Sequence, residues 1–281
     1  PAGVLNIVIE ADLDGAHLMT THPDVDMVAF TGSSAVGAKV MAQAAPTMKR
    51  LQLELGGKSA QIFLPDAVEQ SFNVGVSVCT AHAGQGCALG TRVFVPEDRK
   101  AEVLEHMAKA MSAIKVGHSD DPDTQTGPVI NAIAVERCEK YVAAALEHGG
   151  RVVVGGKRPA HLDCGHFFEP TLLDIPDNKN PAAQDEIFGP VVCVIGYRDI
   201  DHAVEMANDS RFGLSGYVFG KDKRQALAVA SRVRSGTVQV NTGVFSAYAS
   251  AGGQRLSGVG RERGIEGIRL YQNVTCLNLG G

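Results

Sequence analysis

Two side chains in this sequence have the types and settings needed for covalent chemistry on a carbonyl. They are Glu54, in Leu53-Glu54-Leu55-Gly56-Gly57-Lys58, and Cys87, in Gly84-Gln85-Gly86-Cys87. A thiolate attacks a carbonyl carbon and holds the product as a thioester, and a carboxylate activates the water that releases the acid. Both residues stand beside glycines, which leave backbone N–H groups uncovered and let a ligand come close. The pair suits acyl chemistry on an aldehyde.

Each residue also has a plainer reading. A free cysteine is most often a small buried hydrophobe. Cys79, inside "VGVSVCT", fits that description, whereas Cys87 has only Gly84, Gln85, Gly86 and Ala88 around it. For Glu54, strand alternation puts Gln52 and Glu54 on one face and Leu51, Leu53 and Leu55 on the other. The plain expectation is a solvent-facing polar pair. A base would instead face a cavity whose apolar walls raise its pKa.

The elements that must position these groups alternate. Strands are expected at 25–30, 51–55, 59–64 and 91–95, and later in "RVVVGG", "FEPTLLDI", "VVCVIGY", "SGYVFG" and "TVQVN". Helical spacing covers residues from Ser33 to Ala45, Val68 to about His82, 99–114, 134–150, 200–209, 222–234 and 265–271. A last strand is expected at "VTCLNL" (274–279). This alternation predicts an α/β fold with a mostly parallel sheet covered by helices on both faces. The double glycine at Gly56–Gly57 is the best candidate boundary, and the elements before it are too few for a complete dinucleotide-binding half.

"FTGSSAVG" follows an apolar strand and opens a helix, with Gly32 and Gly37 bracketing the turn and Ser33 offering a hydroxyl. Uncapped N–H groups at a helix start attract phosphate. The plain alternative is a Gly–Ser cap on an amphipathic helix.

Composition narrows the function. The 281 residues carry a net charge of -5 with no Lys/Arg run, which argues against a nucleic-acid partner. No apolar run reaches the roughly 18 residues of a membrane-spanning helix. Six scattered cysteines without a CxxC read as reduced thiols, hence a cytoplasmic setting. The chain opens on Pro1 rather than Met, so further residues are expected upstream. His161-Leu-Asp-Cys164-Gly-His166 does not have the spacing of common zinc sites, and no metal is expected.

Five segments, "FTGSSAVG", "LELGGKS", "GQGCALGTRVFVP", "DEIFGPVV" and "SGVGRERG", resemble signatures of the aldehyde dehydrogenase superfamily in order and spacing. The resemblance covers nearly the whole chain. It implies an aldehyde-dehydrogenase-like α/β fold. Residues 1–56 would be the end of a Rossmann-type domain, 57–258 a catalytic domain, and 259–281 a C-terminal helix and oligomerisation strand. It implies that Cys87 attacks the aldehyde, helped by its own backbone N–H, that NAD or NADP takes the hydride, and that Glu54 activates water. Gly32, Ser33 and Gly37 would line the pyrophosphate, the Leu55 carbonyl would orient the nicotinamide amide, Glu186 would meet a ribose, and Phe188 would pack by the nicotinamide. A homodimer or homotetramer is implied.

The departures are an upstream part with an oxyanion-hole asparagine, and Ser250-Ala251 where the family usually has Pro-Phe before Gly-Gly. Two alternatives stand beside this reading. One is a truncated, non-catalytic nucleotide-binding or oligomerisation module. The other is a CoA-acylating relative, which generally lacks a glutamate at the position of Glu54. The chain alone is expected to turn over poorly.

Overall fold

Among the described residues, short β-branched and apolar runs form ten strands, and the 3.6-periodic stretches between them form the helices. The computed structural model describes residues 1–280. The first unit comprises α1 (Asp14–Thr21), β1 (Met27–Thr31), α2 (Ser34–Ala44) and β2 (Arg50–Glu54). β1 and β2 run parallel, with Thr31 opposite Glu54. A small core of Val28, Val40, Leu53 and Leu55 joins them to α2.

The second unit runs through β3 (Ala60–Phe63), α3 (Val74–Thr80), β4 (Arg92–Pro96), α4 (Lys100–Ser112), α5 (Ala132–Glu147), β5 (Arg151–Val154) and β6 (Thr171–Ile175). It continues with α6 (Pro181–Gln184), β7 (Val191–Tyr197), α7 (Ile200–Asn208), β8 (Ser215–Phe219), α8 (Lys223–Ala230) and β9 (Thr237–Val240). Its seven strands are ordered β5-β6-β7-β4-β3-β8-β9. All neighbours are parallel except β5 with β6. One face packs Ile62, Phe94, Val218 and Ile195 against α5, α7 and α8, and the other packs Phe63, Val93 and Val95 against α3 and α4. Burying both faces explains why these strands read as continuous apolar runs.

β10 (Gly258–Val259) returns to the first sheet antiparallel to β2, with Gly258 opposite Glu54, and α9 (Gly264–Leu270) follows. Gly258 has φ +130°, and a Cβ there would lie 1.8 Å from the Leu53 carbonyl oxygen, so only glycine permits this pairing.

Two expectations are corrected. The stretch from Val68 to His82 is not one helix: a 3-10 segment, Pro65–Asn73, precedes α3, and Ala67 breaks its helical geometry. "VTCLNL" is not a strand in this structure. Residues 272–280 join no β-ladder, the Arg50 guanidinium donates to the Gln272 carbonyl at 2.9 Å, and Val274, Leu277 and Leu279 are exposed. Alternation marks a segment able to pair, but a ladder also needs a neighbouring edge.

Candidate active site

Glu54 ends β2, where the chain leaves the first sheet for Gly56–Gly57. The solvent-facing expectation for its face is overturned: Gln52 is 6% and Glu54 9% exposed. That face is covered by the returning segment in which Ala251 bridges Glu262. The Gln52 Nε2 donates to Glu54 Oε1 at 3.1 Å. Burial raises the Glu54 pKa, and the Glu262 charge raises it further, while Gln52, Arg261 and Arg263 pull it down. A carboxylate whose pKa is raised this way is a better proton acceptor than a free one, as a general base requires.

Cys87 follows α3 on a tight loop. His82, Ala83 and Gly84 all have positive φ, at 53°, 51° and 74°. A Cβ on Gly84 would lie 2.1 Å from the Gly189 carbonyl oxygen, so glycine is required at this close approach. Three contacts fix the loop. The Tyr217 hydroxyl donates to the Ala88 carbonyl at 2.8 Å, and the Ile130 N–H donates to Gln85 Oε1 at 2.9 Å. The backbone of Gly57 comes so close that a Cβ would meet the Cys87 carbonyl oxygen at 2.4 Å.

The two cysteines separate as their surroundings predict. Cys79 is fully buried, its thiol donates to the Pro190 carbonyl at 3.4 Å, and burial pushes its pKa up to about 12. Cys87 is exposed. Its thiol pKa is raised by partial burial and next by the Glu186 charge, with Glu54 adding a smaller push. The backbone N–H groups of Cys87 and Ala88 point at the sulfur and favour the thiolate.

Glu54 and Cys87 line one cavity of about 130 Å³, together with Ala88, Leu214, Thr237, Ala251 and Arg263. Ser215, Phe245 and Glu262 also border it. The cavity joins residues from both sheets and from the segment after β9, a convergence that short-range pattern does not reveal.

The remaining predicted residues divide. Glu186 reaches the Gly56–Gly57 turn, where the Gly57 N–H donates to its Oε1 at 2.9 Å. A Cβ on Gly56 would lie 2.2 Å from its Oε2. Burial raises its pKa. Phe188 holds a positive φ of 54° just before Gly189. Gly32 and Ser33 are exposed at the start of α2, where Ser33 caps the helix by accepting from the Val36 N–H at 3.3 Å. Gly37 is buried, and a Cβ there would meet the Leu55 side chain at 2.6 Å, so it packs α2 onto β2. The first turn of α2 is exposed at Gly32 and Ser33, although the Gly32 N–H already donates to the Glu54 carbonyl at 3.0 Å, and Gly37 has a packing reason of its own.

Glu262 and Arg263, at the end of "SGVGRERG", border the cavity without any local sequence signal for that place, and Gln52 is buried beside Glu54 rather than facing solvent. The His161–His166 segment turns elsewhere: His161 Nε2 pairs with the Val116 carbonyl at 3.3 Å. Among the described residues, no group of three His, Cys, Asp or Glu side chains is placed to hold a metal ion.

The sequence model of the aldehyde dehydrogenase family matches residues 1–277. A Staphylococcus epidermidis protein named for aldehyde dehydrogenase activity is 39% identical over 279 residues, which is 99% of this chain and 59% of that protein. Among solved structures, a cysteine-to-alanine variant of aldehyde dehydrogenase C from Pseudomonas syringae, with NAD+ and octanal, superposes with TM-score 0.88 at 40% identity. That match covers 91% of this chain and 53% of the other. A Mycobacterium tuberculosis aldehyde dehydrogenase with NAD+ gives 0.85 at 42% identity, covering 89% and 52%. The chain therefore spans 59% of the length of the curated relatives it matches first.

Proposed function

The chain belongs to the aldehyde dehydrogenase family, and we propose that it carries the acyl-transfer machinery of an enzyme oxidising an aldehyde to a carboxylic acid with NAD or NADP. The observation that carries this reading is that Cys87 and Glu54 line the same cavity. NAD+ in the similar structures from P. syringae and M. tuberculosis supports the cofactor class.

The Cys87 thiolate attacks the aldehyde carbon, and the N–H groups of Cys87 and Ala88 favour negative charge at that point. The cofactor, when bound, accepts the hydride. Gly32 and Ser33 at the open turn of α2 would hold its phosphates, while Glu186 and the Leu55 carbonyl would meet its nicotinamide half, beside Phe188. The resulting thioester on Cys87 is released by water that Glu54 deprotonates. Glu54 also favours hydrolysis over transfer to CoA.

Residues 1–56, 57–258 and 259–281 are proposed as the cofactor-side, catalytic and oligomerising parts. The exposed Val274, Leu277 and Leu279 support self-association into a dimer or tetramer. Six free cysteines suit a reducing, cytoplasmic setting. Among the described residues, no helix is long and apolar enough to cross a membrane.

The test is mass spectrometry of the intact protein mixed with aldehyde and NAD+. An acyl adduct on the Cys87 peptide is expected, trapped by Glu54→Gln and absent in Cys87→Ala. Label-free Cys87 during turnover would end the reading. The 281-residue chain by itself is expected to turn over little.

A further inference from the structure

Gln239 is 6% exposed, and neither its side-chain oxygen nor its side-chain nitrogen has a hydrogen-bond partner. Leaving a buried polar group unsatisfied forfeits its hydration with nothing in return. An amide with both ends unmet is therefore an expensive feature in β9, where a hydrophobe would pack without penalty. It leaves one donor group and one acceptor group to be met by a polar partner.

The position points to the reacting centre. Val238 and Val240 pack against the core between the sheet and α8. Alternation sends Thr237 and Gln239 to the opposite face. Thr237 is part of the wall of the Cys87 cavity. Gln239 lies two residues further along, about 7 Å by strand geometry. Its partner across the ladder is Tyr217, whose hydroxyl holds the Ala88 carbonyl at 2.8 Å. Gln239 thus shares the sheet face covered by the loop that carries the thiol, one strand from the residue that fixes that loop.

We propose that Gln239 is a specificity-determining residue that receives a hydroxyl or carboxamide carried on the tail of the aldehyde. An amide side chain both donates and accepts. A hydroxyl or primary carboxamide satisfies both ends, a carboxylate only the N–H, and an alkyl tail neither. A site built around such a partner discriminates against the analogue lacking it, because its own polar atoms then stay unpaired. The proposal rests on the reading of Cys87 as nucleophile, since it places the tail relative to a carbonyl held there.

The experiment uses the intact protein and a chain-length series of paired aldehydes, alkyl and ω-hydroxyalkyl, with wild type and Gln239→Leu. At the best-fitting length the wild type is expected to favour the hydroxyl-bearing aldehyde by roughly tenfold or more in kcat/KM. Gln239→Leu is expected to erase that preference, chiefly by improving the alkyl substrate. Binding of the matching alkyl and ω-hydroxy carboxylic acids, measured by calorimetry without turnover, is expected to shift in the same direction.

An unchanged preference in both measurements would overturn the proposal and assign the amide to a buried water. A shifted acid-binding ratio with no Cys87 adduct would uphold Gln239 while removing the nucleophile reading. Should Gln239→Leu fail to fold, Gln239→Met, close in shape and without the amide, answers the same question.

Discussion

The Tyr217 hydroxyl donates to the Ala88 carbonyl at 2.8 Å, tying β8 to the loop that presents Cys87. Burial pushes the Tyr217 pKa up to about 12, so the phenol stays protonated and remains a donor across the working range of pH. Removing it leaves the carbonyl without this partner and frees a loop whose backbone already holds three positive φ angles. Tyr217→Phe is expected to cost about 1–3 kcal/mol of stability, read from urea unfolding. It should also slow Cys87 acylation by about tenfold or more, because misplacement of the nucleophile is costly. Unchanged acylation would show that the loop does not need this tether.

Glu186 sets the reactivity of Cys87 through its charge. It is the second cause of the raised thiol pKa, after burial. The variant Glu186→Gln keeps an oxygen able to accept from the Gly57 N–H, so the turn survives while the charge is lost. Removing a negative charge lowers the thiol pKa and increases the thiolate fraction at a given pH. Iodoacetamide labelling of Cys87, without cofactor, is therefore expected to become several-fold faster. The difference should vanish at low pH, where Glu186 itself is protonated, and at high pH, where both thiols are ionised. Glu54→Gln should act in the same direction but less, since Glu54 is the weakest of the causes that raise the thiol pKa.

Gln52 acts on the other carboxylate. Its amide hydrogen bond lowers the Glu54 pKa against burial and the Glu262 charge. Gln52→Leu removes that help, so the Glu54 pKa rises and the carboxylate form is present only at higher pH. The acid limb of the deacylation profile is expected to move to higher pH, with little change on the alkaline side. Single-turnover deacylation across pH checks this. A profile that does not move would separate Gln52 from the base.

The strands, the helices and the separateness of Cys79 and Cys87 were legible because each depends on nearby residues: periodicity, caps and local bulk. The environment of Glu54 was not. Alternation correctly placed Gln52 and Glu54 on one face, but whether that face meets water depends on residues 251–263, some two hundred positions away. The same distance hid Glu262 and Arg263, which charge the cavity from the far end of the chain. The positive φ of Ala83 has no sequence signal, since alanine is not among the residues enriched in that region. The tail at 274–279 departs from its sequence pattern for the opposite reason. Its alternation is real, but no edge in the described chain meets it.

Gly56 and Gly57 are adjacent, yet they should respond differently to a methyl group. At Gly56 the added Cβ would lie 2.2 Å from Glu186 Oε2, the end of a side chain that can turn aside. At Gly57 it would lie 2.4 Å from the Cys87 carbonyl oxygen, which is backbone and cannot yield without moving the nucleophile. Gly56→Ala is therefore expected to displace the Glu186 carboxylate, speed thiol labelling as its charge withdraws, and leave the fold intact. Gly57→Ala is expected to push the whole loop outward, cost about 1–3 kcal/mol in unfolding, and depress acylation far more than Gly56→Ala does. Circular dichroism, urea unfolding and Cys87 labelling on both variants decide the matter. Equal effects would mean that the turn transmits the strain as a unit, and that Glu186 does not act on the thiol independently of the backbone beside it.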